Sequence, residues 1–171
     1  GFAMLLTINP DSQPWFIAIT LSLVGLGAGV GMTLTNDLIM SSVKPEHSGQ
    51  AAALSETAYE LGTAFGTAIL GSALMSFYRT GFTDLAPAGL GEEVINTARE
   101  TLAAAHLMSL ELPGELGAQL FNAATNAFSH ALGWTGGIAA LILAGVAVFA
   151  GFMLRGVSAQ SAPEDEQPAS H

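Results

Sequence analysis

Cysteine is absent from this chain, which removes disulfide bridges, thiolate zinc sites, iron–sulfur clusters and thiol catalysis from consideration. Positive charge is scarce as well: 4 Lys and Arg stand against 14 Asp and Glu, for a formal net charge of -10. With so few cations there is no basic stripe to neutralise phosphates, so nucleic acid is excluded as a partner, and an anionic lipid surface repels the chain as a whole. Charge of either sign makes up only 11% of residues against 50% hydrophobic, and it is swept into the gaps between long apolar runs. That is not a soluble pattern. No G-x-S-x-G, phosphate loop or nucleophile–base arrangement is present, so the chain does not read as an enzyme and implies no cofactor. His47, His106, His130 and His171 are scattered, with no spacing that would hold a metal.

What the chain does contain is three apolar runs of the length a bilayer demands, about 20 residues in a helix. They are Trp15 to Met40, Ala51 to Phe77 and Gly133 to Leu154. The fold class is therefore all-α membrane. Gly1 to Ile8 is apolar without a charged leader or a small-residue cleavage site, and reads as the end of a preceding span rather than a signal peptide. Asn9 to Pro14 is a turn rich in helix breakers, with Trp15 and Phe16 placed as interfacial aromatics. Ser42 to Gln50 joins the first two spans tightly, so those helices are antiparallel neighbours. Residues 78–131 mix polar and apolar positions, with Glu92 to Met108 and Pro113 to Ala131 each near helical period; they predict a helical hairpin outside the membrane. Residues 155–171 collapse into Ser, Ala, Pro, Glu, Asp and Gln, and predict a disordered tail. Lys44 and Arg155 fall on one side and Arg79 and Arg99 on the other, so positive charge leaves the orientation open.

Inside the spans, Gly27 and Gly31 lie four residues apart on one helix face, and Gly62 and Gly66 repeat the device. Lipid tails are as apolar as leucine, so helix association in a membrane relies on close approach at such small residues, and these four predict a packing seam. The carboxylates are sharper. A helix starting near Ala51 and rising about 1.5 Å per residue carries Glu56 to roughly 7 Å and Glu60 to roughly 13 Å depth, on one face. An uncompensated charge there costs about 2.5 kcal/mol or more, so each faces a cavity, meets a partner or is protonated. Desolvation and a twin carboxylate both favour the neutral form, which is the chemistry a proton-coupled carrier needs. Asp37 lies at a depth similar to Glu56, beside Thr35 and Asn36, and is a third candidate on depth alone. Tyr59 offers an aromatic face to a cation. Asp84, Glu92, Glu93 and Glu100 read as solvated surface.

The stretch Glu56-Thr-Ala-Tyr59-Glu60-Leu-Gly62-Thr-Ala-Phe-Gly66, preceded by Pro45-Glu-His-Ser-Gly49, resembles the C-terminal end of fourteen-span drug:proton antiporters of the major facilitator superfamily, most of all the quaternary-ammonium and methyl-viologen efflux pumps. The resemblance implies that the three runs are spans twelve, thirteen and fourteen of a multi-pass cell-membrane protein. It places the Lys44 turn and the tail in the cytoplasm and the hairpin outside. Glu60 and Glu56 match acidic positions of the penultimate span and would bind a proton or a hydrophobic cationic drug. The chain would then be a C-terminal fragment, with the remainder of the same transporter and the bilayer as its partners. An exporter of a metabolite or antibiotic in the same superfamily, and a non-transporting membrane remnant or scaffold, are alternatives the residues leave open.

Overall fold

The computed structural model describes residues 1–153 and Arg155. Five α-helices follow a short 3-10 turn at Ala3–Thr7: α1 (Pro14–Ser41), α2 (Ser48–Leu85), α3 (Glu92–Ala98), α4 (Leu102–Glu111) and α5 (Gly114–Met153). A second 3-10 turn, Pro45–His47, links α1 to α2. Proline sits at the start of α1, where its missing N–H costs nothing. At the far end of α2, Ala86 precedes Pro87 and is extended, which terminates the helix. Three helices, α1, α2 and α5, are long and apolar enough to cross a membrane. Only 6% of the most apolar window of α1 is buried, and Leu26, Leu54 and Phe65 are 67%, 73% and 64% exposed. Apolar surface of that extent belongs against lipid or other spanning helices, not water. This is a multi-pass, all-α membrane protein.

Two boundaries differ from expectation. The helix expected to stop at Phe77 continues to Leu85, and the helix expected to end at Ala131 is continuous with the last span, from Gly114 to Met153. At about 1.5 Å per residue α2 and α5 are roughly 57 and 60 Å long, about twice the hydrocarbon thickness. Each therefore projects well past the membrane. The other arm of the expected hairpin, Glu92 to Met108, is broken in two. Thr101 is extended at φ -152° and its hydroxyl accepts a bond from the Ala104 N–H at 3.1 Å, starting a new helix there. The result is not a detached hairpin but a cap built on the projecting halves of α2 and α5, with α3 and α4 folded between them.

The cap holds the main core. Tyr78 and Phe82 from α2, Ala98 from α3, Ala105 from α4 and Leu120, Ala124, Ala127 and Ala131 from α5 are all buried together. Alanine at five of these positions lets the helices approach closely around the two rings, whose centroids lie 6.0 Å apart. Ala98 ends α3, so its carbonyl has no partner within the helix; the Tyr78 hydroxyl donates to it at 2.8 Å. Gly114 takes a positive φ of 50° as the chain turns from α4 into α5, a conformation that suits glycine.

Residues 1–140 form one compact unit, and the described residues from 141 onward belong to a second. In the second unit the Arg155 guanidinium lies 5.1 Å from the Phe152 ring centroid. Leu154 and the tail expected after it, apart from Arg155, lie outside the described residues.

Candidate functional site

Helices α1 and α2 pack against each other, and one side-chain bond pins their register: the Tyr59 hydroxyl donates to the Met32 carbonyl at 3.4 Å. Glu60 is the next residue and Glu56 lies one helical turn back, so the pair sits beside this contact on α2. Both carboxylates are exposed on the surface of the chain, and Tyr59 between them is partly covered. From Ala51 to Phe77 α2 holds no other charged side chain, and its one cation, Arg79, is 19 residues beyond Glu60.

Asp37 is not gathered into this group. Pairing Met32 with Tyr59 on antiparallel helices puts Asp37 about level with Glu56, as its sequence position implies. It is, however, about 140° around α1 from Met32, whose carbonyl accepts the Tyr59 bond. It too is exposed. Within this chain the candidate residues thus fall into a two-carboxylate, one-tyrosine patch on α2, with Asp37 on a separate face of α1.

The glycine seam predicted at Gly27, Gly31, Gly62 and Gly66 does not form between the helices of this chain. A Cβ added at any of the four meets no atom within 4 Å. Close approach occurs elsewhere. The segment before α1 lies against α5, where a Cβ at Gly136 would fall 2.7 Å from the Leu5 Cβ and one at Gly133 would fall 3.3 Å from the Leu5 carbonyl oxygen. Leu5 is buried there, and Gly1, at the start of the same segment, abuts Val24 and Thr20 of α1. The sequence carried a signal for this seat in Gly133, Gly136 and Gly137, spaced at helical period near a span boundary.

The helical wheel also joins the carboxylates to the cap. Tyr78 follows Glu60 by about five full turns, so the two share one face of a continuous helix roughly 27 Å apart. Among the histidines, His106 is in the cap, tilted against Phe121 with centroids 4.9 Å apart. Among the described residues no group of three or more His, Asp and Glu is placed to hold a metal ion.

No protein-family model and no solved structure matches the chain. Curated relatives do. The chain is 37% identical over 155 residues to the multidrug efflux pump LfrA of Mycolicibacterium smegmatis, a match covering 91% of this chain and 30% of that protein. It is 28% identical over 141 residues to the methyl viologen resistance protein SmvA of Salmonella typhimurium, covering 81% of this chain and 28% of that protein. The likeness to drug and methyl viologen efflux pumps carried by the stretch from Glu56 to Gly66 is borne out. This chain is a multi-pass membrane homologue of LfrA and SmvA, and it spans less than a third of the length of either.

Proposed function

We propose that the chain is the C-terminal part of a major facilitator exporter that exchanges protons for hydrophobic cations, quaternary ammonium compounds among them. The observation that carries this reading is the pair Glu56 and Glu60, exposed one turn apart on an apolar spanning helix with Tyr59 between them. Two carboxylates one turn apart in an apolar span, with no other charged residue near them on that helix, are groups that can take up either a proton or a cation. A lipophilic cation arriving at Glu60 changes that balance: it stabilises the carboxylate, and the proton leaves. Tyr59 supplies a π face to the cation, and its bond to the Met32 carbonyl fixes where that face stands. Glu56 is the second acceptor. Asp37, on another face of α1, serves a different step or a different substrate contact.

In this proposal the binding site is completed by helices of the remainder of the transporter, since carriers of this kind place substrate at the midplane between two halves. The exposed faces bearing Gly27, Gly31, Gly62 and Gly66 are where those helices dock. The cap stands outside the cell, and the Lys44 turn is cytoplasmic. Ethidium efflux from cells expressing the full-length protein tests the reading. Glu60→Gln at normal membrane abundance abolishes efflux driven by an imposed proton gradient; unchanged efflux would reduce Glu60 to a structural carboxylate.

A further inference from the structure

The spanning parts of α2 and α5 do not end at the membrane: each helix runs unbroken into the cap, and neither contains proline. The helix that carries Glu56 and Glu60 is thus continuous with the buried Tyr78 and Phe82. Whatever holds α2 in the cap also restrains the carboxylates, because a helix without a kink passes a displacement along its axis.

In the cap the two helices meet along one seam. Leu120, Ala124, Ala127 and Ala131 follow one another on α5 at intervals of four, three and four residues, so they share a face, and all are buried with Tyr78 and Phe82 of α2. Phe128, next to that seam, packs edge-on against Tyr78 with ring centroids 6.2 Å apart. At the closest approach a Cβ added to Gly81 would stand 3.7 Å from the Ala127 Cβ and 3.9 Å from its Cα, so any larger side chain there has Ala127 in its path.

This packing has one register. Sliding α2 by one helical turn, about 5.4 Å, brings Phe77 or Leu85 to the place of Gly81, and a ring or an isobutyl group would have to enter a space that holds only a glycine. Rotating α2 about its axis carries Tyr78 and Phe82 out of the core and breaks the 2.8 Å bond from the Tyr78 hydroxyl to the Ala98 carbonyl. We propose that the cap is a clasp: it fastens the cap-side halves of α2 and α5 into one rigid pair, so that the helix bearing Glu56 and Glu60 shifts during transport only together with the cap-side half of α5. The proposal rests on the reading of the chain as part of a carrier, and not on Glu60 as the coupling residue.

The test is a covalent clasp in the full-length protein. Gly81→Cys with Ala127→Cys sets two thiols at the 3.7 Å Cβ separation that a disulfide spans, in a chain with no other cysteine; any cysteine in the remainder of the protein is replaced by serine. Ethidium efflux by the oxidised protein equals that by the reduced one. Phe82→Ala opens the cap and lowers efflux about tenfold at equal membrane abundance, and the same disulfide, formed in the Phe82→Ala protein, restores it. Loss of efflux on oxidation, reversed by a reductant, would overturn the proposal. Full efflux by Phe82→Ala would overturn it too, as would a disulfide that forms and does not rescue, since the cap would then have another task. A second measurement needs no substrate: in vesicles at one external pH, the cysteine pair oxidises at the same rate with and without an imposed proton gradient, and a slower rate under the gradient would refute the clasp. Absence of ethidium efflux from the wild type refutes the proposed function, and this rate tells that result apart from a failure of the clasp.

Discussion

Tyr78→Phe isolates a single bond in the cap. The ring is fully buried and its hydroxyl donates to the Ala98 carbonyl at 2.8 Å. Phenylalanine keeps the ring contacts with Phe82 and Phe128 and removes only the donor. What remains is a buried carbonyl at the last residue of α3 with no intrahelical partner, a condition costing about 1–3 kcal/mol. At about 1.4 kcal/mol per factor of ten, local opening of α3 becomes roughly 5- to 150-fold more frequent. Hydrogen–deuterium exchange on the full-length protein in detergent reads this directly: amides of α3 and of the start of α4 exchange faster by that factor, while those of α1 and the first half of α2 do not change. Exchange in α3 equal to the wild type would refute the view that the hydroxyl ties α3 to α2. Uniform acceleration across all helices would refute it equally, since the cap would then not open as a unit of its own.

Other perturbations have separable outcomes. Phe82→Ala, at a fully buried site, destabilises the cap by about 3–5 kcal/mol, visible as loss of the folded cap in limited proteolysis between α3 and α5. Gly136→Leu forces a side chain into the seat of Leu5 and lowers stability by about 1–3 kcal/mol, read as a fall in the melting temperature of the purified protein. Thr101→Ala removes the hydroxyl that caps α4 and costs about 1 kcal/mol, confined to faster exchange in its first turn. Tyr59→Leu removes the π face beside Glu60 and weakens ethidium binding about 2- to 30-fold, corresponding to about 0.5–2 kcal/mol, whereas Tyr59→Phe binds within about twofold of the wild type.

The spanning helices were legible because a bilayer imposes one requirement, length without charge, and Trp15 to Met40 meets it almost to the residue of α1. The cap was legible as helical but not as architecture. Hydropathy locates where a helix leaves lipid and says nothing of whether it ends there, and no proline stands between Phe77 and Leu85 or between Ala131 and Gly133. The break at Thr101 had a local signal, a hydroxyl able to cap, which the apolar period from Val94 to Ala105 masked. At the site, Glu56 and Glu60 announce themselves because a carboxylate in an apolar run is costly. The role of Tyr59 in setting helix register, and the separation of Asp37 from the pair, depend on which faces of α1 and α2 meet, and periodicity alone does not choose a face.

The most direct test of the central claim is proton release. Ethidium is added to the detergent-solubilised full-length protein in weakly buffered solution, and the pH change is followed in the wild type and in Glu60→Gln. If Glu60 exchanges a proton for the cation, the wild type releases protons in proportion to ethidium bound and Glu60→Gln releases none. Equal release from both proteins, or ethidium binding to the wild type with no release at all, would contradict it.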